Sequence, residues 1–263
     1  MERKLRKSGL DIIGDVPWGT HFCNFYETKQ DLLDILMPFL RAGLENNEFC
    51  LWIVSDPLGE QEARDAVRNA ILHSDSYFEK GQIEIVSYNN WYCRNGELYT
   101  ENLFDDCVQI MKNALSRGFD GLRATGSMSW LEKKQWGMFL EYERLFNEMV
   151  DQVQMILLCS YVLSRCSAYD VIDVVNTHQF ALFNREGSWE VIETSQHKTT
   201  QQVLRESDEK YRSIRELASG MAHEINNQMT VIQACLDLYV RDNSFDLAYS
   251  KIRQAVERTT KLN

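Results

Sequence analysis

The chain has 263 residues, 44% of them hydrophobic and 25% charged, which suits one sizeable core with a smaller element appended to it. A formal net charge of -11 and a pI near 5.0 argue against nucleic acid as a partner, because neutralising phosphates takes clustered Lys and Arg. No apolar run approaches the roughly 18–20 residues that span a bilayer, and the N-terminal MERKLRKSGLDIIGD lacks an apolar h-region and a cleavage site. A cytoplasmic protein with no membrane span is therefore expected. The odd count of seven cysteines, several inside apolar runs such as FCLWIV and MILLCSYV, fits a reducing compartment.

In chain order, residues 1–18 read as a solvated tail, basic only at its start. From His21 to Glu193, strand-like and helical runs alternate, the pattern of a mostly parallel sheet with helices on both faces. The strands are HFCNFY, FCLWIV, QIEIVSY, DGLRATG and QMILLCSYVL. The helices between them are DLLDILMPFLRAGLENN, GEQEARDAVRNAILH, NLFDDCVQIMKNALSRG and LEKKQWGMFLEYERLFNEMV. Pro38 should kink the first helix or split it in two. QMILLCSYVL does not alternate, which places it in the sheet centre, buried on both sides. Helix AYDVIDVVNTH follows, and QFALFN, REGS and WEVIE form a closing antiparallel hairpin. The organisation expected is a sensory α/β unit over 19–194, a helical connector over 195–216 and a helical hairpin over 217–263.

In an open parallel sheet, ligands bind beyond the carboxyl ends of the strands. That rule singles out Tyr26, Glu27, Asp56, Tyr88, Trp91, Tyr92, Arg123, Thr125, Trp130 and Tyr161, a set of aromatic walls with one cation and two acids. Such a lining suits a small, partly apolar organic effector. Against this, the rings can equally fill helix-to-sheet packing, with Arg123 paired to Glu27 or Asp56. Cys159, Cys166 and His178 are the candidates for a metal, but a strand cysteine is more often a small hydrophobe, and no bound metal or cofactor is expected.

From Tyr211, residues Tyr211, Ile214, Ala218, Met221, Ile225, Gln228, Ile232, Cys235 and Tyr239 keep alternating steps of three and four, a heptad seam. Phe245, Ala248, Ile252, Ala255, Thr259 and Leu262 repeat it after the turn formers RDNS. Two helices bury little alone, so the seam predicts a homodimer closing a four-helix bundle. His223 then faces outward, where a neutral imidazole can accept a phosphoryl group and Glu224 can hold its other nitrogen. HEINN is not a zinc motif, because Asn227 stands where HExxH needs its second histidine.

LASGMAHEINNQMTVIQACLDL resembles the H-box of histidine kinase dimerisation domains, and IRQAVERTTKL is similar to its partner helix. The resemblance implies phospho-acceptor His223, assisting Glu224, and Asn227 or Asn226 as the contact to an ATP-binding domain. That domain, with its ATP and Mg, is not among these residues, so it is expected in cis or in trans, with a response regulator receiver domain as the onward partner. A non-catalytic dimeric binding module is the alternative.

The preceding unit resembles the MEDS domain, a sensory module found before histidine kinases and in transcription regulators. The likeness runs through HFCNFYE, GLENNEFCLWIVSDPL, GQIEIVSYNNWY, GLRATGSMSWLEKKQW, YERLFN, LLCSYVLSRC and HQFALFNREGSWEVIE. It implies sensing of small hydrocarbon derivatives. The element order is also similar to a RecA or KaiC type ATPase core, degenerate here because the first loop reads YETKQD, without the glycines or GK[ST] that cradle phosphate.

Overall fold

The computed structural model describes residues 5–94, 97–99, 102–193, 223, 226–227, 229–234, 237, 249–250 and 252–254. The chain divides into two compact units, Met1–Lys198 and Thr199–Asn263. In the first, short strands β1 (Leu5–Lys7) and β2 (Asp15–Pro17) pair antiparallel. The segment expected as a tail is thus folded, with Leu10 and Val16 in the core. Arg6 is buried because its guanidinium has acceptors waiting for it, which a count of basic residues cannot reveal.

Strand β3 (Thr20–Tyr26) leads through Glu27 and Thr28 into α1 (Lys29–Glu45). The Thr28 hydroxyl accepts from the Asp31 N–H at 3.1 Å while the Asp31 carboxylate accepts from the Thr28 N–H at 2.9 Å. This turn is closed on its own side chains. Pro38 lies inside α1 without dividing it. The carbonyl that loses its donor belongs to exposed Asp34, within reach of solvent.

Next come β4 (Phe49–Val54), α2 (Glu60–Ala70), α3 (Ser74–Glu79), β5 (Ile83–Ser87) and the single turn α4 (Tyr88–Trp91). A small ladder of β6 (Cys93–Arg94) and β7 (Glu97–Leu98) precedes α5 (Leu103–Ser116) and β8 (Leu122–Ser127). Then follow α6 (Trp136–Met149), β9 (Met155–Val162), α7 (Ala168–Asn176), β10 (Phe180–Arg185) and β11 (Ser188–Glu193).

The main sheet has seven strands in the order β11-β10-β3-β9-β8-β4-β5, parallel except for the β10–β11 hairpin. β9 is the middle strand. Ile156 and Leu158 pack on the α1/α2 side, Met155 and Leu157 on the α5/α6/α7 side, so no polar alternation survives. The result is a three-layer α/β fold with a mostly parallel sheet.

Arg123, expected at the ligand end, instead sits near the start of β8, fully buried against α1. Its Nε donates to Glu48 Oε2 at 2.6 Å, Nη1 to the carbonyls of Ser8 (3.0 Å) and Phe39 (3.1 Å), and Nη2 to that of Lys7 (2.8 Å). Arg6 Nε takes the other Glu48 oxygen at 2.9 Å. Gly43 makes room for this guanidinium, since a Cβ there would stand 2.6 Å from Arg123 Cδ. Arg123 is therefore a tie between the N-terminal hairpin and the sheet, and not a ligand contact.

Candidate functional site

Successive side chains of a strand point to opposite faces. Phe22 faces α1, so His21 and Cys23 face the α6 side. In register beside β3, β9 turns Cys159 the same way. Helix α6 lays Phe139, Glu143 and Phe146 on its buried stripe, which carries the Glu143 carboxylate to the sheet. His178 follows α7 and closes the group.

The four side chains meet. His21 Nε2 is 3.2 Å from Glu143 Oε2 and 3.4 Å from Cys159 Sγ. Cys159 Sγ lies 3.7 Å from Glu143 Oε1, and His178 Nε2 is 3.6 Å from Glu143 Oε2. The two imidazole centroids are 4.2 Å apart. His21, Glu143 and His178 are buried and Cys159 nearly so.

Burial governs the charges. It lowers His21 to a pKa of about 3, against an opposing contribution from neighbouring Asn147. It lowers His178 to about 3 as well, helped by His21 and opposed by Glu143 and the Val174 carbonyl. Burial pushes the Glu143 carboxyl up, opposed by His178, Cys159 and Tyr161, and holds the Cys159 thiol well above its ordinary range. Both histidines are neutral at pH 7. Nδ1 of His21, Nε2 of His178, Oδ1 of Asn147 and the Tyr161 hydroxyl are buried without a hydrogen bond among the described residues.

Two cavities lie in this unit, and the first adjoins the group. A small one, about 30 Å³, is lined by His21, Glu143 and Cys159 together with Trp91, Tyr92, Thr125 and Phe146. A larger one, about 230 Å³, opens beyond the carboxyl ends of β8 and β9 and is lined by Met128, Leu131, Lys133, Trp136, Tyr161, Val162, Arg165 and Cys166.

The residues expected to share one pocket are therefore distributed. Trp91, Tyr92 and Thr125 line the small cavity and Tyr161 the large one. Trp130 stacks on Tyr88 and Tyr92, with centroids at 5.3 Å and 5.1 Å, as packing between them. Tyr26 is buried with its hydroxyl 2.8 Å from Ser127 Oγ, and Glu27 is exposed. Of the metal candidates, Cys159 and His178 come together while Cys166 belongs to the larger pocket. Sequence reading missed His21 and Glu143. Their signal was an ionisable residue at a core position, His21 opening an apolar strand and Glu143 on the Phe139–Phe146 stripe. His223 and Asn227 are helical and exposed, and Glu224 lies outside the described residues.

The family model for MEDS, the methanogen/methylotroph, DcmR sensory domain, matches residues 20–179. The chain belongs to the MEDS family. Over 179 residues it is 23% identical to the transcriptional repressor DcmR of Methylorubrum extorquens, covering 67% of this chain and 63% of the repressor. Among solved structures it is similar to the KaiC-like protein PH0186 of Pyrococcus horikoshii OT3. The TM-score is 0.51 at 15% identity, over 73% of this chain and 89% of that one, which shows the fold alone. The flagellar accessory protein FlaH of Methanocaldococcus jannaschii gives a TM-score of 0.47 at 10% identity, over 74% and 90%.

The match to DcmR corrects the expectation of a sensor histidine kinase in a phosphorelay, because the curated relative sharing the MEDS domain is a transcriptional repressor. A histidine two residues off a helical seam is exposed whatever its role, so its outward position fixes no chemistry. The phospho-acceptor roles of His223, Glu224 and Asn227, and ATP, Mg and a receiver domain as partners, rested on that expectation, and no contact among the described residues bears on them. No helix among the described residues is long and apolar enough to cross a membrane.

Proposed function

We propose that the MEDS domain of this chain is the small-molecule-sensing part of a cytoplasmic, homodimeric regulatory protein, and that its effector occupies the larger pocket. The observation that carries this reading is the pocket's chemistry. Its walls are mostly apolar, from Met128, Leu131, Trp136, Tyr161 and Val162, with Lys133, ion-paired to Asp170, and Arg165, which donates to the Ser129 carbonyl, at the strand ends. The Trp136 indole N–H in that wall is buried and has no hydrogen-bond partner among the described residues. A buried donor left unpaired costs free energy, which an acceptor reaching it on effector binding would recover. The effector is therefore a small organic molecule carrying an oxygen acceptor on a short apolar frame.

The heptad pattern in the sequence beyond residue 210 is the dimerisation element through which the sensor is proposed to act, and the output is regulatory, as in the repressor it is similar to. Titrating the full chain with one- to four-carbon alcohols and carboxylates, read by tryptophan fluorescence and thermal shift, tests the site. Trp136→Phe keeps the ring but removes the donor and should weaken binding roughly 3- to 10-fold, the worth of one hydrogen bond. Arg165→Ala should weaken carboxylates more than alcohols. Binding that ignores both substitutions removes the effector from this pocket.

A further inference from the structure

We propose that His21, Glu143, Cys159 and His178 form a binding site for a divalent transition-metal ion, zinc first among them. The inference stands apart from the effector pocket and departs from the sequence-based expectation of no metal.

The first support is spacing. Bonds of about 2.0–2.3 Å to nitrogen, oxygen and sulfur set the donor atoms of a tetrahedral zinc site about 3.3–3.7 Å apart. With Glu143 Oε2 as its donor, the separations are 3.2 Å to His21 Nε2, 3.6 Å to His178 Nε2 and 3.9 Å to Cys159 Sγ, with 3.4 Å between His21 Nε2 and Cys159 Sγ, close to that spacing, and all four donors lie within 4.8 Å of one another.

The second support is a fixed tautomer. His178 Nδ1 donates to the Val174 carbonyl at 2.7 Å, beside the Thr177 hydroxyl at 3.1 Å. A proton held there leaves Nε2 with a bare lone pair, directed at Glu143 and without a hydrogen bond among the described residues. A backbone carbonyl on the far nitrogen is how metal-bound histidines are oriented. The lone pair faces the Glu143 carboxyl, and a cation that displaces the carboxyl proton would be held by both.

The third support is the donor set. Two imidazoles, one thiolate and one carboxylate suit zinc and its first-row neighbours, while magnesium and calcium demand oxygen. Binding releases the Cys159 proton to solvent as the thiolate bonds the metal, and the proton that burial favours on Glu143 leaves with it. His21, Glu143 and Cys159 also border the 30 Å³ cavity, which has room for a water beside the metal.

The test uses the full chain, stripped with a chelator and titrated with zinc and with cobalt(II). Wild type should bind one ion per chain, and cobalt should give tetrahedral d–d bands with a thiolate-to-metal charge-transfer band. Cys159→Ala should abolish that band, and His178→Gln should weaken zinc at least 10-fold. Cys166→Ala should change neither. Wild type that takes up no stoichiometric ion, or cobalt bound without a thiolate band, would overturn the site. Should Cys159→Ala fail to fold, the wild-type spectrum and His178→Gln still decide.

Discussion

Two buried polar groups lie on opposite faces of one sheet, and they are built on opposite principles. Around Glu48, both carboxylate oxygens meet guanidiniums, and Arg123 donates from Nε, Nη1 and Nη2. Around Glu143, two neutral imidazoles, a thiol and a carboxyl crowd together with nitrogens left unpaired. Burial is the same in both. A saturated group ties parts of the chain together, whereas an unsaturated one keeps capacity for something not yet bound. The contrast assigns architecture to Arg123 and chemistry to His21.

The sharpest way to break the comparison is to neutralise each acid in metal-free protein. Glu48→Gln strands two buried guanidiniums and should cost about 3–5 kcal/mol in urea unfolding. Glu143→Gln should cost less than about 1 kcal/mol, since no cation depends on that carboxylate. Equal losses would erase the distinction. Next in size is the metal itself. At a thousandfold excess over its Kd, zinc should stabilise wild type by about 4 kcal/mol, and Glu143→Gln should lose most of that gain, as read by thermal unfolding with and without chelator.

Gly43→Ala sharpens the structural half. Its Cβ would stand 2.6 Å from Arg123 Cδ and 2.8 Å from Cys50 Sγ, atoms wedged in place, and a loss of about 1–3 kcal/mol is expected. A neutral result would mean the tie is loose. The smallest effect belongs to Cys166→Ala, which should shift unfolding by about 0.5–1 kcal/mol and leave zinc affinity unchanged, placing that thiol outside the site.

Hydrophobic period and turn chemistry were enough to read the α/β class, the seven strands of the main sheet and the central place of β9, but not the short pairs β1–β2 and β6–β7, because the former depend on neighbours within a few positions of the chain. Segment 5–18 was misread because the acceptors that bury Arg6 come from Glu48, Asn46 and Asp120, far along the chain. Arg123 was misread for a related reason. Its position in DGLRATG is local information, but the end of the strand at which it lies and the carboxylate it meets are not.

By itself, then, the sequence determined a three-layer sheet protein with buried free thiols, since periodicity and composition act locally. Tertiary structure alone decided which ionisable groups met. β3, α6, β9 and the end of α7 are more than 100 residues apart at the extremes, and parallel pairing of β3 with β9 is what puts His21 beside Cys159. Side-chain convergence is a property of register and crossover, and no stretch of chain carries it.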